Sequence, residues 1–100
     1  MEKIIHSGDK FYLIDNGQEI AFLTYYMEEG KMVVDHTYVD DHYRGMGLAK
    51  DLVNAAVSFA RGEGIKIIPV CHYVYNLFTK NNEYSDVWDK SSQKPVTCKL

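Results

Sequence analysis

The chain has 100 residues, of which 46% are hydrophobic and 25% charged, with a formal net charge of −3. A length and composition of this order make one folded domain with one core, not a disordered chain. The acidic balance excludes a general nucleic-acid binder, which needs a basic footprint. No basic run, long apolar stretch or charged-then-apolar start suggests a membrane surface, a membrane span or a signal peptide, so the expected compartment is the cytoplasm.

In chain order, "IIH" at 4–6 is an optional edge strand. "KFYLID" at 10–15 is rich in β-favouring residues, and Asn16-Gly17 supplies the positive φ angles of a tight hairpin turn. "QEIAFLTYYME" at 18–28 is the next strand, with Ile20, Phe22 and Thr24 on one face and Ala21, Leu23 and Tyr25 on the other. After the turn "EEGK", "MVVDHTYV" at 32–39 carries apolar groups on both faces, as a central strand does. Simple alternation along it puts His36 on the face of Val34 and Tyr38. From Gly47 to about Arg61, Leu48, Leu52, Ala56, Phe59 and Ala60 recur at helical spacing, widened by Val53 and Val57, and "GEG" ends the helix. "IKIIPV" at 65–70 is a short buried strand and "YVYNLFTKN" at 73–81 a second helix. The expected architecture is α+β: an antiparallel meander followed by a βαβα unit on a mixed sheet, its crossover right-handed. Residues 1–90 are expected to form the domain, and 91–100, "SSQKPVTCKL", a flexible polar tail.

Cys71 and Cys98 form no disulfide framework, and the four histidines and two cysteines show neither CxxC nor HxxxH spacing, so no metal site is expected. The informative stretch is "RGMGLA", Arg44 to Ala49, where a strand gives way to a helix. A helix start exposes unpartnered N–H groups, and the helix dipole adds positive potential; together they attract phosphate. Gly45 and Gly47 let the backbone approach a ligand, and Arg44 adds a forked cation. A P-loop would need GxxxxGK followed by Ser or Thr, and a dinucleotide fingerprint would need a glycine where Lys50 stands.

The six residues fit the pattern Gln/Arg-x-x-Gly-x-Gly/Ala, between a central strand and a long helix. The stretch thereby resembles the pyrophosphate loop of the GNAT acetyltransferase superfamily, and "DHTYV" and "IIPVCHYV" are similar to its short single-domain group. The resemblance covers about residues 10 to 88. It implies a GNAT-like mixed sheet without the usual N-terminal helix pair, whose place between the first two strands is left to the turn at Asn16-Gly17. It implies acetyl-coenzyme A as co-substrate, no metal, and transfer of acetyl to a primary amine of a small molecule or protein. The backbone of Arg44, Gly45, Met46, Gly47, Leu48 and Ala49 would hold the pyrophosphate, and an N–H near Val39 would face the thioester where two strands splay. Neither nucleic acid nor membrane is an expected partner, and a monomer or weak dimer is expected.

The register of the resemblance puts Cys71 where many members have asparagine, and Phe78 where they have a proton-donating tyrosine. Phenylalanine cannot donate; Tyr73, Tyr75 or a water would have to, and the sequence does not choose. Cys71 is the candidate nucleophile or base at a helix start, with a small buried hydrophobe as the plainer alternative. His36 is the candidate base, with a hydrogen-bonded core residue as its alternative. His42 and His72 fall in loops, and Asp40 and Asp41 suit loop caps. Two further functions stay open: an acyl-coenzyme A binder without catalysis, and a protein acylated at Cys71 with little turnover.

Overall fold

A computed structural model describes residues 3–96. Five strands form one sheet in sequence order: β1 Ile4–Ser7, β2 Lys10–Asp15, β3 Gln18–Glu28, β4 Lys31–Val39 and β5 Ile67–Pro69. The first four pair antiparallel, and β5 joins β4 in parallel through the helix α1, Leu48–Glu63. A second helix, α2, runs His72–Lys80. The α+β expectation holds, including the edge strand at the start.

The turns follow from residue chemistry. Asn16 and Gly17 both take positive φ, 52° and 75°, which matches the twist of the hairpin they close. With β1 present, the first two strands are joined by the short turn at Gly8 and Asp9. The missing helix pair therefore belongs there, and not at Asn16-Gly17 as expected from the sequence.

The main core lies on one face of the sheet, and Val33, Ile68 and Val70 form a second, smaller buried cluster on the other. Phe11, Leu13, Ala21, Leu23 and Val34 meet Leu52, Val53, Ala56 and Val57 of α1, and α2 adds Val74 and Phe78 to the same cluster. α1 starts at Leu48, one residue later than expected, because Gly47 is left-handed and outside the helix. It ends in a left-handed cap: Gly64 donates to Arg61 O at 3.3 Å and Ile65 to Ala60 O at 3.0 Å. No helix among the described residues is long and apolar enough to cross a membrane.

The far edge of β5 is covered. Ile67 N–H donates to Val87 O at 2.6 Å and Asp89 N–H to Ile67 O at 3.0 Å, so the segment after α2 occupies the place of another strand. The segment assigned to the tail, from 91 on, is fastened at its start. The Gln93 side chain donates to Pro69 O at 2.7 Å and accepts from Trp88 Nε1 at 2.9 Å, and Lys94 pairs with Glu28 at 2.9 Å. Cys98 lies outside the described residues.

Candidate functional site

β4 and β5 pair over three residues only, Met32 to Val34 against Ile67 to Pro69. The N–H groups of both Val70 and Cys71 then converge on Val34 O, at 2.9 and 3.1 Å, and the chain leaves the ladder. Beyond that point β4 continues to Val39 with no partner from β5. This is the splay expected from the resemblance, and it shortens the expected strand 65–70 to its middle.

A β-bulge sits at the same place. Thr24 pairs with His36 and Tyr25 with Val34, so Asp35 is the extra residue. The bulge changes the parity of everything after it. Val34, Thr37 and Val39 stand opposite Tyr25, Leu23 and Ala21 on the helix face, while His36 and Tyr38 stand opposite Thr24 and Phe22 on the other. The expectation that His36 shares the face of Val34 is therefore corrected.

One consequence is that the two candidate catalytic side chains are not brought together. Cys71 is fully buried, and its Sγ lies 3.5 Å from Thr37 Oγ1 on the helix face. His36 is half-buried on the opposite face, its ring 5.7 Å from that of Phe22.

A cavity of about 490 Å³ opens at the splay, lined by His36, Thr37, Tyr38, Val39, Tyr43, Arg44, Gly45, Gly47, Leu48, Ala49 and Tyr73. The Met46 side chain is 64% exposed and lines a separate groove with Ile4 and Leu13; the expected role of this residue is its backbone N–H. Cys71 does not line the cavity. Among the described residues no three His, Cys, Asp or Glu side chains gather as a metal group would require.

The loop geometry suits an anion. Gly45 and Gly47 take φ of 84° and 77°, which favours glycine, and a Cβ at either would meet no atom within 4 Å. Gly47 precedes α1 without any side-chain cap, so the first N–H groups of the helix are not claimed by a capping side chain. Arg44 is fastened by Nε, which donates to Val39 O at 3.1 Å and pairs with Asp41 at 3.2 Å. Asp40 caps the turn that leads in, accepting the His42 N–H at 2.9 Å. That bond, and then the His42 ring, hold the Asp40 carboxyl below the usual carboxylate range.

Strand alternation orients Val39. Asp40 N–H donates to Ile20 O of β3 at 2.7 Å, so the N–H and C=O of Val39 turn the other way, toward the splay. Its carbonyl there is the one that Arg44 holds.

The structure also separates the tyrosines. Tyr73 lines the cavity, half-buried. Burial first, then Asp51 and Cys71, push its hydroxyl above the ordinary tyrosine range. Tyr75 instead packs edge-on to Trp88 at 5.9 Å, and Phe78 stacks on Tyr84 at 4.9 Å in the core. Tyr43 and Thr37 were not singled out from sequence. Tyr43 donates its hydroxyl to Asp15 across the mouth of the loop, and its neighbour Arg44 was the only signal for it.

Comparison with known proteins adds three findings. The family model described as GCN5-related N-acetyl-transferase matches residues 10–87. Protein NATD1 of Gallus gallus is 38% identical over 68 residues, 66% of this chain and 62% of that protein; NATD1 of Homo sapiens is 38% identical over 68 residues, 60% of its length. The match thus spans under two-thirds of these curated relatives. A GCN5-like protein of Staphylococcus aureus, solved by NMR, superimposes with TM-score 0.72 at 33% identity over 86% of both chains. A ribosomal-protein-alanine N-acetyltransferase of Brucella melitensis shares the fold, with TM-score 0.56 at 20% identity over 91% of this chain and 68% of that one.

Proposed function

The chain belongs to the GCN5-related N-acetyltransferase family, and we propose that it transfers acetyl from acetyl-coenzyme A to a primary amine. The observation that carries this is the pair of left-handed glycines, at the start of α1, facing a cavity in the β4–β5 splay. The first N–H groups of α1 fit a pyrophosphate, and Arg44, pinned through Nε, aims its guanidinium from the rim. The thioester supplies the acetyl group and a thiolate leaving group.

This chain's part is to position and to move protons. The N–H of Val39 is turned to the splay, where it can donate to the acetyl oxygen as charge develops there. Tyr73, like any tyrosine, keeps its proton through the neutral range, and from the cavity wall it can give that proton to the departing sulfur. His36, at the cavity from the other face, takes the proton that the amine must lose. The N–C bond forms, the C–S bond breaks, and one proton passes from amine to thiol overall. Cys71 acts in this scheme as a packed neighbour of Thr37 and forms no bond to acetyl.

The test is thiol release from acetyl-coenzyme A in the presence of a panel of amines. Tyr73→Phe should lower kcat by roughly 10²–10⁴-fold, the usual contribution of a positioned acid, and leave coenzyme A affinity unchanged. Wild-type kcat in that variant removes Tyr73 from the role. Coenzyme A binding with no amine turned over would favour the non-catalytic binder.

A further inference from the structure

Strand pairing brings a row of side chains to the sheet face that neither described helix covers. Ile5 stands opposite Tyr12, Tyr12 opposite Phe22, and Phe22 opposite Tyr38. Paired residues share a face, so the row crosses β1 to β4 in line. Phe22 and Tyr38 stack with centroids 5.4 Å apart, and Tyr38 keeps 40% of its surface exposed. Tyr38 also lines the cavity. The row therefore runs along the open face and ends where the acetyl group would be presented.

The row already holds an ammonium group. Lys10 lies along it with Nζ 5.0 Å from the centre of Tyr12 and 5.7 Å from that of Phe22, anchored by Glu19 at 2.8 Å. Ring faces attract cations through their quadrupole, and an alkyl stem packs on them as well. The Phe22–Tyr38 pair offers the same chemistry one strand nearer the cavity. Charge agrees. Asp35 accepts from Thr24 at 2.7 Å, two residues along β3 from Phe22, and the chain carries a net −3. Arg44, at the cradle end, is the one lysine or arginine among the described residues that line the cavity.

We infer that this row binds the acceptor, and that the acceptor is a small primary alkylamine, held first as its ammonium ion over Tyr38 at the Phe22 edge; it releases one proton to solvent before the neutral amine attacks the thioester. Lys10 and Glu19 cover Tyr12 and reach the near side of Phe22, which leaves the Tyr38 ring and the edge of Phe22 beside it. That suits a short alkyl chain, whereas a peptide would have to displace the lysine. The role as acceptor site rests on the acyl-transfer reading; the binding chemistry does not.

The experiment separates the two. Tetramethylammonium chloride carries the charge but has no lone pair and cannot be acetylated; neopentyl alcohol is its neutral counterpart in shape. Aromatic-resolved NMR of the full chain should show saturable shifts of the Phe22 and Tyr38 rings with the cation and none with the alcohol at equal concentration. Tyr38→Ala should weaken the cation roughly 3- to 10-fold, as loss of one ring face predicts. It should raise KM for n-butylamine by a similar factor, and Phe22→Leu, at a residue outside the cavity lining, should raise it with coenzyme A affinity unchanged. Equal shifts from the alcohol, or undiminished cation binding in both Tyr38→Ala and Phe22→Leu, overturn the inference. Tighter competition by a lysine peptide than by n-butylamine overturns the small-amine assignment. Cation binding without turnover supports the ammonium surface and sinks only the acyl-transfer reading. Turnover indifferent to the row does the reverse.

Discussion

Gly47 is the residue on which the cradle can be tested most cleanly, because the fold contains its own control. Gly47 has φ 77° and ψ 15° at the start of α1; Gly64 has φ 70° and ψ 27° at its end. An added Cβ meets no atom within 4 Å at either. An L-residue in this region costs about 1–2 kcal/mol, so Gly47→Ala and Gly64→Ala should lose similar stability. In a domain of this size each kcal/mol corresponds to about 4–8 °C in Tm. Gly47→Glu should fare slightly better than Gly47→Ala, since a carboxylate at a helix N-terminus recovers about 0.3–1 kcal/mol. Coenzyme A binding should divide the variants differently. The carboxylate enters the space meant for a dianion, and a lost charge-assisted hydrogen bond alone costs about 1.5–3 kcal/mol, more than tenfold in affinity. Urea unfolding measures the first effect and titration calorimetry the second. Wild-type affinity in folded Gly47→Glu, or an equal loss in Gly64→Ala, refutes the cradle.

Arg44→Ala should weaken coenzyme A binding by roughly 1–3 kcal/mol, with a loss that shrinks as salt rises, since the side chain is 64% exposed and its contact is screened. A salt-independent loss in calorimetry would show instead that Arg44 matters by holding Val39 O and Asp41. Cys71, fully buried against Thr37, should resist iodoacetamide in the folded chain and label only under urea; rapid native labelling in peptide mapping would revive the acylated-cysteine alternative. Asp89 is held down to about 2, first by Ser91, then by Lys31 and Ser92. A carboxyl depressed in the fold contributes stability above its unfolded value and loses it as pH falls through the folded one. Asp89→Asn should therefore flatten the stability profile between about pH 4 and pH 2. An unchanged acid limb in urea titrations refutes that assignment.

Local chemistry made much of this molecule legible. Asn16-Gly17 announced its hairpin, the apolar period from Leu48 announced α1, and Arg44 to Ala49 announced both the loop and the family. What stayed hidden depends on contacts that no short window contains. The bulge at Asp35 leaves the composition of β4 unchanged yet flips every side chain after it. For that reason His36 could not be placed, nor the row through Phe22 and Tyr38 seen. Tyr73 and Tyr75 lie two residues apart, about 200° around a helix, so both cannot face the cavity. Which one does is fixed by how Val74 and Phe78 dock, and that is a property of the core. Gln93 reads as tail in sequence because its partners, Trp88 and Pro69, are recruited only once β5 exists. The same logic bears on the missing helix pair. With only Gly8 and Asp9 joining β1 to β2, the proposed acyl transfer leaves acceptor specificity to the open sheet face, and that is where the aromatic row lies.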